Sequence, residues 1–305
     1  MSGLTLFSPS GVLTRAAPLK RAARRLAGLD FSVSIDEAAL AKHQRFAGDD
    51  AVRLGAIHRV ARAAPDIAMA TRGGYGLTRL LDALDWKLVA RSIERGTRWV
   101  GHSDFTVLQL ALLAHARGVT WAGPMACYDF GRTAEEHGEP AVAQVDEVTE
   151  GCFVEAMSGA LEAVGFRTEA GFDGLEARGT LWGGNLCMVG SLLATPHLPR
   201  IKGGILFLED VNEHPYRIER ALLQLQQAGV IDAQKAVVLG AFSDWRKSPH
   251  DRGYDLKAAV AQLRSLTKTP ILTGLPFGHV PTKVTLPVGA RVTLLVDRRD
   301  VLIGW

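Results

Sequence analysis

The chain has 305 residues, with 35 Lys and Arg against 32 Asp and Glu, so its formal net charge is +3. Hydrophobic residues make up 47% and charged residues 22%, which is the balance of a globular protein long enough for two domains. The near-neutral charge gives no sign of a nucleic-acid partner. A basic run from Arg15 to Arg25 is interpreted as the solvated face of a first helix rather than a polyanion site.

Targeting and metal signals are missing from the sequence. The first residues lack a charged segment followed by a long apolar one, and no apolar run is long enough to cross a bilayer, so we expect a cytoplasmic protein that does not act at a membrane. Cys127, Cys152 and Cys187 are widely spaced, which suits a reducing compartment and small buried side chains. His-Glu-x-x-His is absent, so we expect no metal and no cofactor.

The first half alternates short apolar runs with amphipathic stretches. The predicted strands are residues 4–8, 31–35, 67–70 and 98–100, and the predicted helices are 18–28, 50–64, 77–84 and 105–116. This alternation predicts an α/β fold with a Rossmann-like parallel sheet. Sites on such sheets lie at the carboxyl ends of strands, where the Arg72–Gly76 loop and the turn at Ser103 both fall.

The second half predicts a smaller, mixed α+β domain. Residues 128–160 are predicted to be helix with polar loops, and 134–140 to be charged and exposed. The predicted helices are then 186–193 and 217–228, and the predicted strands are 204–208, 236–242, 271–272, 283–286, 291–296 and 301–303. We expect an N-terminal domain over 1–165, a linker over 166–178 and a C-terminal domain over 179–305.

Ser103 occupies the apex of a strand–turn–helix in Trp99-Val100-Gly101-His102-Ser103-Asp104. Such an elbow exposes a hydroxyl and aims backbone N–H groups at the atom that it attacks. The competing interpretation is that Ser103 is a helix N-cap, with Asp104 complementing the helix dipole.

A carboxylate and an imidazole follow in two later segments. Glu209 ends the apolar run Leu206-Phe207-Leu208, and His279 lies in a loop rich in Gly and Pro. The order Ser–Glu–His suggests a serine hydrolase, although spacing alone does not bring the three together. Taken singly, His279 could bond the backbone and Glu209 could pair with Arg217 or Arg220.

The loop Arg72-Gly73-Gly74-Tyr75-Gly76 has three glycines in four positions. Glycines let main-chain N–H groups approach a substrate closely, so the loop could form half of an oxyanion hole with the N–H of Asp104. A plain tight turn is the alternative, whereas a phosphate cradle lacks the expected Lys and Ser or Thr. Gly183-Gly184-Asn185 is predicted to be a tight turn into the next helix.

Six motifs together resemble the LD-carboxypeptidases (muramoyltetrapeptide carboxypeptidases) over essentially the whole chain. They are the Arg72–Gly76 loop with Arg79-Leu80-Leu81, Gly101–Thr106, Gly123-Pro124-Met125, residues 179–186, residues 208–215, and Phe277-Gly278-His279. The resemblance implies Ser103 as nucleophile, His279 as general base and Glu209 as the carboxylate, with Glu213 as its rival. It implies an oxyanion hole from the N–H groups of Asp104 and of Gly74 or, less favoured, Gly73.

The activity that this resemblance implies is hydrolysis of the L,D amide bond that holds the terminal D-alanine of murein tetrapeptides, giving tripeptides for peptidoglycan recycling. Such an exopeptidase must hold a free carboxylate, for which Arg72 is the candidate. The resemblance also implies a homodimer. Two alternatives are an immunity-type serine peptidase that cleaves acyl-adenylate-like antibiotics and a non-catalytic muropeptide-binding module.

Overall fold

The computed structural model describes residues 1–133 and 145–305, so the predicted exposed stretch 134–140 lies outside the described residues. The strands in chain order are β1 Ser2–Phe7, β2 Phe31–Ile35, β3 Ile67–Ala70, β4 Arg98–Gly101, β5 Thr120–Ala122, β6 Ala163–Arg167, β7 Glu176–Asn185, β8 Ile205–Val211, β9 Ala236–Ser243, β10 Ile271–Thr273, β11 Leu286–Val288, β12 Arg291–Asp297 and β13 Asp300–Gly304. The α-helices are α1 Ala17–Ala27, α2 Asp50–Ala63, α3 Trp86–Glu94, α4 Phe105–Ala116, α5 Glu147–Ser158, α6 Leu186–Ser191, α7 Pro215–Gln227 and α8 Leu256–Ser265.

Two sheets organise the described residues. The first has the order β11-β5-β4-β3-β1-β2, with β1 to β5 parallel and β11 antiparallel at its edge. The second has the order β10-β9-β8-β7-β12-β13-β6, parallel from β10 to β7 and antiparallel beyond. The predicted α/β class, with a parallel sheet followed by a mixed one, is confirmed.

Helix α4 packs between the two sheets. Its first nine residues, 105–113, are all buried, and it contacts both α6 and β7. A helix that is apolar all round belongs inside a core, where no polar face is needed. The turn that carries Ser103 therefore leads into one of the most buried elements of the fold.

Long-range pairing connects the two halves of the chain. β6 begins in the predicted N-terminal domain and ends inside the predicted linker, yet it pairs with β13 in the second sheet. β11 comes from the second half, yet it pairs with β5 in the first sheet. The domain boundaries at 165 and 178 stay a prediction. Among the described residues, no helix combines the length and the hydropathy needed to cross a bilayer.

Several local predictions were wrong. Residues 77–84 form two short 3₁₀ turns, Leu77–Arg79 and Leu81–Ala83, rather than one helix. The strand predicted at 283–286 begins only at Leu286. The predicted turn at Gly183-Gly184 is the end of β7: a Cβ on Gly183 would lie 1.9 Å from the Phe207 carbonyl oxygen, so the glycines serve close strand packing.

Candidate active site

A cavity of about 820 Å³ opens where strands of both sheets end. It receives the residues after β3 and β4 from the first sheet and the end of β8 from the second. Its lining includes Leu13, Thr14, Arg15, Pro18, Arg45, Arg72, Gly73, Gly74, Ser103, Met125, Cys127, Tyr128, Val211, Asn212 and His279. Carboxyl ends of parallel strands are the usual place for a site in such a sheet.

Ser103 adopts a left-handed backbone conformation, with φ of 64°. A non-glycine residue there is strained, which is common where a side chain must be presented to a substrate. The N-cap position of α4 belongs to Asp104, not to Ser103. The Asp104 carboxylate makes no capping bond and accepts hydrogen bonds from the Leu77 N–H at 3.0 Å and the Ser10 hydroxyl. Burial raises the pKa of Asp104.

The Arg72–Gly76 loop runs directly beside Ser103. A Cβ on Gly73 would lie 2.6 Å from Ser103 Cβ, so only glycine fits there without displacement. The Gly73 carbonyl accepts from the Gly11 N–H at 3.1 Å. Since the C=O and N–H of a trans peptide point in opposite directions, the Gly74 N–H points away from Gly11. Arg72 is exposed at the cavity wall and donates to the Val12 carbonyl at 3.0 Å.

Glu209 and His279 are in direct contact. Glu209 is fully buried, and its Oε2 lies 2.8 Å from His279 Nδ1. Because a carboxylate only accepts, the proton of the neutral ring is on Nδ1, which leaves Nε2 as an acceptor. Glu213 instead lies 3.5 Å from Arg217, so the alternative pairing of Glu209 with Arg217 was wrong.

Asn185 was predicted only as part of a turn, yet it contacts the buried carboxylate. Its Nδ2 donates to Glu209 Oε1 at 3.1 Å and to Asp210 Oδ1 at 2.9 Å. Its Oδ1 accepts from the Met188 N–H at 3.2 Å and caps α6, and its own N–H donates to Thr106 of α4. An Asn immediately before a predicted helix is a capping signal that could have singled it out.

Two aromatic rings surround the His279 imidazole. The rings of His102 and Tyr128 stand edge-on to it, with centroids 5.0 and 5.9 Å away. His102 is buried, and its Nδ1 donates to the Gly123 carbonyl at 2.8 Å. Burial, together with His279 and Lys283, holds the pKa of His102 well below its usual range, so this ring is neutral. Burial and Asp129 raise the pKa of Tyr128 to about 12.

A buried ion pair lies behind Tyr128. Lys283 and Asp129 are both almost fully buried, and they bond through Nζ and Oδ1. Lys283 Nζ is 5.1 Å from the centre of the Tyr128 ring. Asp129 also accepts from the Met125 N–H at 2.7 Å. The pair therefore fixes the short π-helix Ala126–Phe130, which carries Tyr128, against the segment leading into β11.

Residues 1–133 and 145–305 contain no group of three or more His, Cys, Asp or Glu side chains arranged to hold a metal. Cys127 and Cys152 are partly buried and Cys187 is exposed, so the prediction of three buried cysteines was wrong for Cys187. In this part of the chain, the cavity chemistry comes from a hydroxyl, an imidazole with its carboxylate, and guanidinium groups.

Comparisons with known proteins agree with this arrangement. Models of the LD-carboxypeptidase N-terminal and C-terminal domains match residues 4–123 and 178–294. The murein tetrapeptide carboxypeptidase of Pseudomonas aeruginosa is 30% identical over 266 residues, which are 85% of this chain and 82% of that protein. The crystal structure of muramoyltetrapeptide carboxypeptidase from Oxalobacter formigenes superposes with a TM-score of 0.87 at 40% identity, covering 100% of this chain and 99% of that one.

A structure of the microcin C7 self-immunity protein MccF, in complex with aspartyl sulfamoyl adenosine, superposes with a TM-score of 0.85 at 20% identity, covering 100% of this chain and 96% of that one. That likeness shows a shared fold. The two domain matches and the close relatives define the class of this protein, a serine-type carboxypeptidase. The chain belongs to the LD-carboxypeptidase family.

Proposed function

We propose that this protein releases the terminal D-alanine from murein tetrapeptides by hydrolysing the L,D amide bond, with Ser103 as nucleophile, His279 as general base and Glu209 as its partner. The observation that supports the proposal is the 2.8 Å contact between Glu209 and His279 in a cavity that Ser103 also lines. The substrate follows from the relatives named for murein tetrapeptides.

The chemistry follows from the tautomer of His279. Glu209 holds the Nδ1–H, so Nε2 is free to take the proton of the Ser103 hydroxyl as its oxygen attacks the amide carbon. The imidazolium that forms is stabilised by the buried carboxylate. It then gives its proton to the departing D-alanine amine, and a water molecule hydrolyses the acyl-enzyme with His279 again as base.

The oxyanion would be held by the N–H groups of Gly74 and Asp104. Among the described residues, neither N–H donates a hydrogen bond to another protein atom. Gly74 N–H points away from Gly11, and Asp104 N–H follows the strained Ser103. Donors that stay unpaired until charge develops on the substrate stabilise the transition state without reorganisation.

Arg72 is proposed to bind the carboxylate of the terminal D-alanine. Its guanidinium lies at the cavity wall and keeps donor capacity beyond the bond to Val12. Arg72→Ala should raise KM for a tetrapeptide with a free C-terminus far more than for its C-terminal amide. Equal losses on both peptides would count against this role.

The experiment that tests the activity is mass spectrometry of a muropeptide mixture incubated with the purified protein. Tetrapeptides should lose one alanine while pentapeptides stay intact, and the Ser103→Ala protein should release none. Cleavage of pentapeptides, or alanine release by Ser103→Ala, would contradict the proposal. Binding without turnover would instead favour a non-catalytic muropeptide-binding module.

The acyl-adenylate alternative receives less support from the cavity. A purine needs an aromatic face on which to stack, and among the described lining residues the aromatic side chain besides His279 is Tyr128. That ring already stands edge-on to His102 and His279. We therefore rank the peptide substrate first.

Location and assembly are part of the same proposal. Three widely spaced cysteines suit a reducing cytoplasm, where tetrapeptides from turnover of the cell wall would be recycled without a membrane or nucleic-acid partner. We also propose a homodimer. Light scattering should then give twice the 32.8 kDa mass of the chain.

A further inference from the structure

A second cavity, of about 730 Å³, lies at the end of α4 that is remote from Ser103. The helix has 12 residues, from Phe105 to Ala116, so about 18 Å separates its two ends. The cavity is lined by the last residues of α4, by the loop between α6 and β8, and by one residue each of β7 and of the turn after β11. It shares no described lining residue with the active-site cavity.

The charged side chains at this second cavity are basic. Of the described lining residues, Arg117 and Arg200 are cationic, His115 becomes so when protonated, and none is Asp or Glu. Both arginines are exposed, and within residues 1–133 and 145–305 neither is in an ion pair, whereas Arg59 lies 2.9 Å from Asp36. A concave site lined by one sign of charge concentrates ligands of the opposite sign.

The helix dipole explains only part of this cluster. Cations are stabilised near a helix C-terminus, which accounts for His115 in the last turn of α4 and for Arg117 directly after it. It does not account for Arg200, which comes from the loop between α6 and β8. Two separate segments of the chain therefore bring basic side chains to the same cavity.

Hydrogen bonds fix the proton positions on His115. Its Nε2 lies 3.0 Å from His197 Nδ1, and His197 Nε2 lies 3.0 Å from Asp82 Oδ1. Because a carboxylate only accepts, His197 Nε2 carries a proton. In the neutral pair, His115 Nε2 then donates to His197 Nδ1, and His115 Nδ1 is left as an acceptor. One further proton on the pair makes His115 Nδ1 a donor, with one proton still shared between the two facing nitrogens.

The groups around His115 favour its neutral form until an anion arrives. Burial and His197 lower the pKa of His115, while Asp82 acts in the opposite direction. The fourth neighbour, the ring of Trp86, is uncharged and stacks on the imidazole with centroids 4.9 Å apart, so the ring has a defined orientation. A bound anion would favour the protonated imidazole, and binding would therefore take up a proton.

We propose that this cavity is a second binding site, which takes a phosphate group on the guanidiniums of Arg117 and Arg200 and on protonated His115. Guanidinium groups match phosphate in geometry and charge, and a phosphate has more acceptor oxygens than a carboxylate for donors that arrive from two segments. The volume is in the range of small-molecule sites and exceeds that of a phosphate ion, so the group can be free or carried by a small organic molecule. The site is independent of the proposed function, because no catalytic residue takes part.

Calorimetric titration with inorganic phosphate, glucose 6-phosphate and unphosphorylated glucose tests the site. Both phosphates should bind and glucose should not. Arg117→Gln and Arg200→Gln should each weaken phosphate binding about tenfold or more, since each removes a charged hydrogen-bond donor. Tighter binding of glucose 6-phosphate would identify a phosphorylated small molecule as the ligand, and equal affinities would identify the free ion.

Arg45→Gln is the matched control, because Arg45 lines the active-site cavity and not this one. It should leave the affinity for phosphate unchanged. Phosphate binding that is lost in Arg45→Gln but retained in Arg117→Gln and Arg200→Gln would place the anion beside Ser103 and overturn the proposal. Absence of binding at millimolar phosphate would also overturn it.

Sulfate, which stays a dianion over the pH range of interest, tests the part played by His115. The affinity of the wild type for sulfate should rise several-fold between pH 7.5 and about pH 5.5, as the imidazole becomes protonated. His115→Phe keeps a ring that can stack on Trp86 and removes the titrating nitrogens, so its affinity should change less over the same range. An equal rise in both proteins would contradict the role of His115 in the site.

Discussion

The two sides of the active-site cavity position their functional groups by different means. On the first-sheet side, Ser103 is set by backbone: a left-handed φ of 64° and a Gly73 that has no room for a Cβ. On the second-sheet side, Glu209 is set by side-chain hydrogen bonds to Asn185 and His279. Activity should therefore fall when atoms are added next to Ser103 on the first-sheet side. On the second-sheet side, it should fall when groups that hydrogen-bond to Glu209 are removed.

The largest effect is expected on the second side. Glu209→Gln keeps the shape of the side chain but removes the charge, and its amide can hold His279 in the wrong tautomer. We expect kcat for D-alanine release to fall by about 10⁴-fold, as when the carboxylate of a serine-protease triad is replaced by its amide. Glu213→Gln, which disturbs the pair with Arg217, is the matched control and should stay within a few-fold. Comparable losses in both variants would remove Glu209 from the scheme.

On the first-sheet side, adding a single methyl group at Gly73 should lower activity. Gly73→Ala places a Cβ 2.6 Å from Ser103 Cβ and 2.7 Å from its Oγ, so the nucleophile must move. A displacement of about 1 Å at a reacting group lowers the rate by about 10²-fold, and we expect that loss in kcat with little change in melting temperature. Gly151→Ala, in α5 with open space around it, is the control and should leave the rate unchanged. A fully active Gly73→Ala would mean that backbone crowding does not position Ser103.

Removing one hydrogen-bond donor should have a smaller effect on the second side. Asn185→Leu leaves Glu209 Oε1 without its 3.1 Å donor, and a buried unsatisfied acceptor costs about 1–3 kcal/mol. If that energy acts on the orientation of His279, kcat should fall about 10- to 100-fold with KM nearly constant, and the acid limb of the pH–rate profile should move.

Asn185 also caps α6, so a control for capping is required. Asp85→Ala removes the cap of α3 and should lower stability by about 1 kcal/mol without changing the pH–rate profile. If Asn185→Leu loses stability but keeps both kcat and its profile, Asn185 is a helix cap and not a positioning residue.

The same contrast explains what could be predicted from sequence. Around Ser103, the predicted strand 67–70 and helix 105–116 have the same bounds as β3 and α4. They could be predicted because apolar runs and glycine-rich turns are patterns among neighbouring residues. On the second-sheet side, the sequence offered Glu209 as a candidate carboxylate and His279 as a candidate base, but 70 residues separate them along the chain. Glu209 lies on β8 and His279 follows β10, so their contact depends on the parallel pairing of both strands with β9, which periodicity does not encode.

The residues that sequence reasoning missed are those whose role depends on packing. Asn185 follows two glycines, and that composition predicted a turn, whereas close approach of β7 to β8 makes them the end of a strand. The partnership of Lys283 with Asp129 joins positions 154 apart, and no local pattern marks a lysine that is fully buried. The roles of Asn185 and Lys283 therefore follow from contacts between distant segments of the chain, not from local secondary-structure propensity.

The smallest expected effect concerns His102, which lies between the two sides. Its pKa is held well below the ordinary value of 6.5, chiefly by burial and further by the proximity of His279 and Lys283, so the folded protein keeps the ring neutral. The unfolded chain takes up a proton below about pH 6.5, so it binds more protons than the native state there. The contribution of the neutral His102 to the unfolding free energy is therefore fully present above pH 6.5, and it is lost as the pH falls towards the lowered pKa of His102.

His102→Phe keeps an aromatic ring beside His279 and removes the titrating group. Between pH 6.5 and 5.5 the wild type should lose about 1 kcal/mol more unfolding free energy than this variant, as measured by urea denaturation at each pH. His250→Phe, at an exposed histidine, is the control and should follow the wild-type pH dependence. Parallel curves of unfolding free energy against pH for the wild type and His102→Phe would show that His102 is protonated as easily in the folded protein as in the unfolded chain. That result would contradict a neutral His102 ring beside His279.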